Sequence, residues 1–191
     1  MKELSDAGLM ELVKQGDYSA FDELYNRYHI GIRSFLFSMT WDRDFAEDCV
    51  QEVFVCLYRA RDRYEPTGKF STYIFQIAKN CYLSQYRKKK RRPGEVSLSQ
   101  DGLKVFESIR ASERVEPEVH LIEEYRRWRI RCAIESLPEK QKLVFVMCHF
   151  EGMKYEEIAE VLAIPVGTVK SRMSTAIRTL REKIKGEMVD G

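Results

Sequence analysis

With 191 residues the chain has room for one or two small domains, and at 44% hydrophobic and 32% charged residues it can bury a core beneath a heavily charged surface. The formal charge is only +2, from thirty-two basic and thirty acidic residues, so overall charge alone does not mark a nucleic-acid binder. No run approaches the roughly 20 apolar residues of a membrane span, and "MKELSDAGLMELVKQGD" has neither the apolar core nor the cleavage site of a signal peptide, which predicts an intracellular protein.

Almost every segment carries apolar residues at a 3.6-residue period, and none alternates convincingly with period two. Ser5 or Asp6 can cap a short helix bearing Leu9, Leu12 and Val13 and stopped at Gly16. Asp17 then opens a longer helix with the stripe Phe21, Leu24, Tyr25, Tyr28, Ile32, Phe35, Leu36 and Met39. In "DRDFAEDCVQEVFVCLYRARDRY", Asp44 and Glu47 stand at capping-box spacing, ahead of Ala46, Cys49, Val50, Val53, Leu57 and Ala60. "EPTG" interrupts, and Phe70 to about Arg92 is again helical until Pro93.

From Pro93 to about Glu118 the period fades and Ser, Gly, Glu and Pro accumulate, as in a flexible linker. Charge shifts along the chain as well. Residues 87–92 read "RKKKRR"; residues 93–124 hold eight acidic against three basic residues; residues 125–191 hold thirteen basic against nine acidic. Two basic regions flanking an acidic stretch suggest two nucleic-acid contacts joined by a tether. Helix returns over Leu121–Ser136, Pro138 opens the next one, which ends near Gly152, and Tyr155–Ala163 and Val166–Lys185 complete a second domain. The predicted fold is all-α: two small helical domains, 1–92 and 121–191, joined by a linker at 93–120.

"IPVGTVKSRM" places a proline and a glycine between two amphipathic helices only about three residues apart. Helices joined so tightly cross steeply, and small Ala159 lets them approach. This is the helix-turn-helix pattern, over about 155–175, whose second helix enters the DNA major groove by its N-terminal residues. Pro165 presets the helix start, and Gly167 lets the backbone approach a phosphate. Thr168, Lys170, Ser171, Arg172, Ser174 and Arg178 are the groove- and phosphate-facing candidates. An ordinary solvated face would contain acids, yet none occurs between Pro165 and Leu180.

On the helix from Phe70, the residues Tyr73, Gln76, Asn80, Ser84 and Arg87 form a polar face beside the apolar stripe Phe70, Ile74, Ile77, Ala78 and Cys81. Phe75, Lys79, Tyr82 and Tyr86 run alongside. Rings stack on unpaired bases at roughly 1–3 kcal/mol each while Lys and Arg follow the backbone, and Asn and Gln read base edges. Single-stranded DNA is a chemically sensible ligand. The aromatics alone would more often be core.

"LPEKQKLVFVMCHFEGMKYEEIAEVLAIPVGTVKSRMSTAIRTLR" resembles the promoter-reading domain of bacterial RNA polymerase sigma factors of the extracytoplasmic-function (ECF) class. "QGDYSAFDELYNRY", "AEDCVQEVF" and "GKFSTYIFQIAKNCYLSQYRKKKRR" resemble the other domain of that class, in the right order. The resemblance implies a transcription initiation factor rather than an enzyme, with core RNA polymerase, promoter DNA and an anti-sigma protein as partners. It implies no cofactor, metal or small-molecule substrate, and a cytoplasmic location, with the anti-sigma protein able to hold the chain at the inner membrane. It assigns Asp48, Gln51, Glu52 and, as an apolar contact, Phe54 to docking on the polymerase. To capture of the minus-ten element it assigns Tyr73, Gln76, Lys79, Asn80, Ser84, Arg87 and Lys88, with "RKKKRR" on the adjacent phosphates. The helix-turn-helix candidates fall to the minus-thirty-five element. Many relatives have Trp where this chain has Tyr73, and basic or aromatic residues where it has Ser174 and Thr175, so the minus-thirty-five sequence does not carry over.

The five cysteines form no CxxC pair and read as reduced, buried small hydrophobes; the three histidines suggest no ligand set. An autonomous helix-turn-helix regulator would leave "AEDCVQEVF" and the Tyr73–Asn80 face without a task. One recognition helix neutralising about three phosphates would also hold duplex weakly. An enzyme reading lacks a phosphate loop, and the paired Glu123–Glu124 and Glu156–Glu157 point to different helix faces.

Overall fold

The computed structural model describes residues 3–91 and 118–186, which contain helices and connecting turns and no strand among the described residues. The helices are α1 (Asp6–Lys14), α2 (Tyr18–Thr40), α3 (Arg43–Arg59), α4 (Phe70–Arg91), α5 (Glu118–Glu135), α6 (Glu139–His149), α7 (Tyr155–Leu162) and α8 (Val166–Gly186), with a 3-10 turn at Arg61–Arg63. The expected linker lies outside the described residues except for its last three positions, which belong to α5; that helix starts at Glu118 rather than Leu121.

Caps explain most of the boundaries. Ser5 accepts from the Gly8 N–H, and Asp17 from the Ser19 and Ala20 N–H groups, so two short polar side chains satisfy donors at the starts of α1 and α2. Gly16, between them, takes the left-handed conformation at φ +89°. The N-cap of α3 is Asp42, which accepts from the Phe45 N–H, and not Asp44, which stands in the first turn. Capping-box spacing named the wrong acid because Asp42 sits closer to where α2 ends. That end is made by Trp41, a left-handed non-glycine residue at φ 55°. Pro138 serves as N-cap rather than first helical residue, and its carbonyl accepts from Gln141 and Lys142.

In the first domain α2, α3 and α4 pack around Leu24, Ile32, Phe35, Leu36, Val53, Leu57 and Ile74, all buried, with α1 closing one end through Leu9, Met10 and Val13. Phe35 meets Phe75 edge to face at 5.8 Å. Arg27 anchors α1 to α2, pairing with Asp6 and Glu23 at 2.9 Å each.

The same core continues into the second domain through Val144, Met147, Ile158 and Val169. A smaller cluster of Ala133, Ile134, Leu137, Ala176 and Leu180 is covered by Trp41 from the first domain. The two domains are therefore packed together. Trp41 lies edge-on to Phe150 (6.3 Å) and under the Arg131 guanidinium (5.4 Å).

Candidate nucleic-acid interface

The second domain builds its helix-turn-helix from α7 and α8. The sharp turn is made by Ala163, held left-handed at φ 51°, ψ 51°, so α7 ends at Leu162, one residue earlier than the periodicity indicates. The Ile164 N–H returns to the Ala159 carbonyl at 3.0 Å, and buried Ile158, Ala159, Val169 and Met173 join the two helices. The Pro165 carbonyl receives the Thr168 and Val169 N–H groups, which starts α8. A Cβ on Gly167 would meet nothing within 4 Å, so internal packing makes no demand for glycine there and the backbone is open to approach from outside.

Along α8, Lys170, Ser171, Ser174 and Arg178 are exposed, while Thr168 and Arg172 are half-buried. The Ser171 hydroxyl donates to the Thr168 carbonyl at 3.0 Å, and any contact it makes with DNA must compete with that bond. A groove of about 630 Å³ runs along the helix, with Arg181 and Lys185 extending the basic row begun by Lys170 and Arg178. These two cations were not singled out in the sequence, although their helical spacing from Arg178 was there to read.

On α4 the expected polar face divides in two. Tyr73, Asn80, Ser84 and Lys88 line an open groove of about 420 Å³ between α3 and α4, over Ile77 and Cys81. Tyr73 is half-buried, tilted against Tyr64 at 5.1 Å, and shares that aromatic cluster with Phe70. Asn80 is exposed, as are Ser84, Arg87 and Lys88. Gln76 and Lys79, on the neighbouring edge, are instead turned toward α7. Gln76 Nε2 donates to the Glu160 carbonyl and Lys79 Nζ to the Val161 carbonyl, each at 3.0 Å. Burial lowers the Lys79 ammonium pKa. In "RKKKRR", Lys89 is paired at 2.9 Å with Asp42 across the helix junction. Burial opposes ionisation of Asp42, but the Phe45 N–H and Lys89 outweigh it and hold the carboxyl below its usual range. The side chains of Lys90 to Arg92 lie outside the described residues.

On α3, Asp48 and Gln51 are exposed. Glu52 is half-buried, 3.6 Å from the Cys56 thiol, and it lines the same groove as Asn80. The expected apolar surface contact, Phe54, is not at the surface. It is 4% exposed, with its ring 4.7 Å from Tyr25 and 6.1 Å from Phe21. Its position on the helix turns it into the contact with α2.

All five cysteines are free thiols. Cys49 and Cys81 are buried, which pushes both thiols up to about 12; Cys56, Cys132 and Cys148 are partly exposed. Cys81 faces Cys56 at 3.9 Å.

Family models match both halves of this architecture: the sigma-70 region 2 model over residues 24–92 and the sigma-70 region 4 model over residues 127–180. The ECF RNA polymerase sigma-E factor of Escherichia coli K12 is 32% identical over 185 residues, 96% of each chain. The chain belongs to the ECF class of RNA polymerase sigma factors. The RNA polymerase sigma-H factor of Pseudomonas aeruginosa is likewise 32% identical, over 90% of this chain and 89% of that one. Among solved structures, CnrH in complex with the cytosolic domain of CnrY shares the fold with a TM-score of 0.68 at 21% identity, covering 93% and 96% of the two chains. RpoE of Bartonella quintana, in complex with the anti-sigma factor NepR, gives 0.61 at 22% identity over 86% and 96%.

As a sigma factor the chain directs RNA polymerase to promoters. The autonomous-regulator reading has no support in these matches, because region 2 accounts for the helices that reading leaves idle. Among the described residues no helix is long and apolar enough to cross a membrane.

Proposed function

We propose that this sigma factor docks on core polymerase through the exposed Asp48 and Gln51 of α3, with Glu52 at the edge of that face. Tyr73, Asn80, Ser84 and Lys88 then hold the non-paired strand of the minus-ten element in the α3–α4 groove, with Gln76, Lys79 and Arg87 on its flank. Thr168, Lys170, Ser171, Arg172, Ser174 and Arg178 address the minus-thirty-five duplex. The sigma factor carries out no bond chemistry of its own: it supplies register, base contacts and phosphate neutralisation to the polymerase, in the cytoplasm. An anti-sigma factor restrains it, as the pairing of its structural neighbours with such partners suggests.

The observation that carries this reading is the pairing of two different DNA-facing surfaces on one chain. One is an exposed amide flanked by a ring in a groove; the other is a helix free of acids over its first fifteen residues. The groove suits an extruded base, since it offers Asn80 for a base edge and Tyr73 for stacking. The helix suits duplex, since Lys170, Arg172 and Arg178 can each neutralise a phosphate.

Promoter retention by the assembled polymerase, measured against salt concentration, tests the second half directly. Lys170→Ala combined with Arg178→Ala removes two of these cations from exposed positions and should leave the fold intact. The salt slope should fall by about 2. An unchanged slope would remove α8 from the duplex.

A further inference from the structure

We propose that peroxide joins Cys56 and Cys81 in a reversible disulfide, and that this bridge closes the α3–α4 groove to the unpaired DNA strand. The first half stands on the two thiols alone; the second rests on the reading of that groove as the site of base capture.

Geometry carries the pairing. Cys56 lies on α3 and Cys81 on α4, 25 positions apart, so no sequence motif announces them. The fold sets their sulfur atoms 3.9 Å apart, with the Cys81 thiol directed at Cys56 Sγ. A disulfide needs about 2.05 Å. Each sulfur therefore has to move by only about 1 Å, which side-chain rotation on two adjacent helices can supply.

Access to the pair is unequal. Cys56 is partly exposed, whereas Cys81 is 7% exposed and burial pushes its thiol up to about 12. Both line the open groove of about 420 Å³, so a small oxidant reaches Cys56 first and Cys81 stands behind it. Glu52, with Oε1 3.6 Å from Cys56 Sγ, places a carboxylate at that entrance. It repels anionic oxidants such as glutathione disulfide and leaves a neutral peroxide as the class that fits.

The Cys56 sulfur attacks one oxygen of hydrogen peroxide. The O–O bond breaks, an S–O bond forms, and the released hydroxide takes up the Cys56 proton as water. The Cys81 sulfur then attacks the sulfenic acid. An S–S bond forms, the S–O bond breaks, and the departing hydroxide takes the Cys81 proton as a second water. Two thiols are oxidised and one peroxide is reduced to two waters. An external dithiol reverses the bond by exchange, as suits a transient bridge in a reducing compartment.

Position gives the bridge its consequence. Cys81 follows Asn80 directly, and Cys56, Glu52, Tyr73 and Asn80 share the groove wall. Drawing the sulfurs together narrows the groove at that point and shifts the Asn80 amide from a base held there. Asp48 and Gln51 remain exposed, so docking on polymerase is untouched. The oxidised chain thus binds polymerase but opens promoters poorly.

The free full-length chain, treated with hydrogen peroxide and desalted, is mapped by mass spectrometry. Peptides bearing Cys56 and Cys81 should be linked, with the loss of two hydrogens, and dithiothreitol should separate them. Mixed with core polymerase, the oxidised chain should co-elute as the reduced one does. Permanganate footprinting should then show promoter opening at least ~5-fold slower, the lower end of the loss of one base contact. Dithiothreitol should restore it. With each variant compared against its own reduced form, Cys56→Ser should be insensitive to peroxide. Cys81→Ser, lacking the resolving thiol, should carry Cys56 on to the sulfinic acid, which dithiothreitol does not reverse. No Cys56–Cys81 link, a link that leaves promoter opening at the reduced rate, or a Cys56→Ser chain inhibited like wild type would each overturn the proposal. Failure of the reduced chain to bind polymerase would instead overturn the sigma reading, while the link in the free chain is scored without polymerase.

Discussion

Phe54→Ala should destabilise the first domain by about 3–5 kcal/mol, the range for deleting a buried aromatic ring. Asp48→Lys, on the same helix, should leave stability within ~0.5 kcal/mol of wild type. The difference follows from where the helix turns each side chain. Phe54 is enclosed by Phe21, Tyr25 and the α2–α3 core, so its loss opens a cavity that rigid helices fill only in part. Asp48 is exposed and its replacement leaves no void. Urea unfolding measures the first quantity and polymerase binding the second. The pair of variants should separate them: Phe54→Ala lowers the midpoint, while Asp48→Lys loses polymerase with the midpoint unchanged. A stable Phe54→Ala chain that fails to bind polymerase would restore Phe54 as a direct contact.

Asn80→Ala should slow promoter opening by about 5- to 150-fold, corresponding to a base contact of ~1–3 kcal/mol, without altering stability. Asn80 is exposed on the groove wall, and no packing depends on it. Tyr73→Ala would be a poor substitute for this test, because Tyr73 also packs on Tyr64 and Phe70. Permanganate footprinting of unpaired thymines in the polymerase–promoter complex reads the opening step alone. Duplex binding should be nearly unaffected, since α8 is the surface proposed for it. If Asn80→Ala opened promoters at the wild-type rate, the α3–α4 groove would not be the site of base capture.

The sequence was a good guide to structure wherever the determinants are local. Helix periodicity located the eight α-helices of the described residues, and short polar residues before them marked the starts of α1 and α2. Misreadings arose where a residue's role depends on a neighbour in space. Phe54 and Glu52 look alike in a linear motif, yet α2 covers one and the groove exposes part of the other. Asp42 displaced Asp44 as a cap because of the left-handed Trp41 beside it, a conformation that sequence rarely announces for a tryptophan. The joint between the domains was not legible at all. Lys69 and Glu157 are 88 positions apart, and each reads as an ordinary solvated charge until the fold brings them together. Gln76 and Lys79 were recognised as donors, but their present acceptors are backbone carbonyls, which carry no sequence signature.

Structure also changes which variant best probes polymerase docking. Glu52 is the natural charge reversal from sequence, but it shares its groove with Asn80 and touches Cys56. Glu52→Lys would also disturb the groove proposed to hold DNA. Asp48 faces outward and gives the cleaner variant.

The most direct measurement is gel filtration of the full-length chain mixed with bacterial core RNA polymerase, with Asp48→Lys run beside it. Wild type should co-elute with polymerase in a one-to-one complex, and Asp48→Lys should elute alone with an unchanged fold. If neither chain binds under conditions in which another sigma factor does, the chain does not act through polymerase, and the account given for α3 and α4 fails with it.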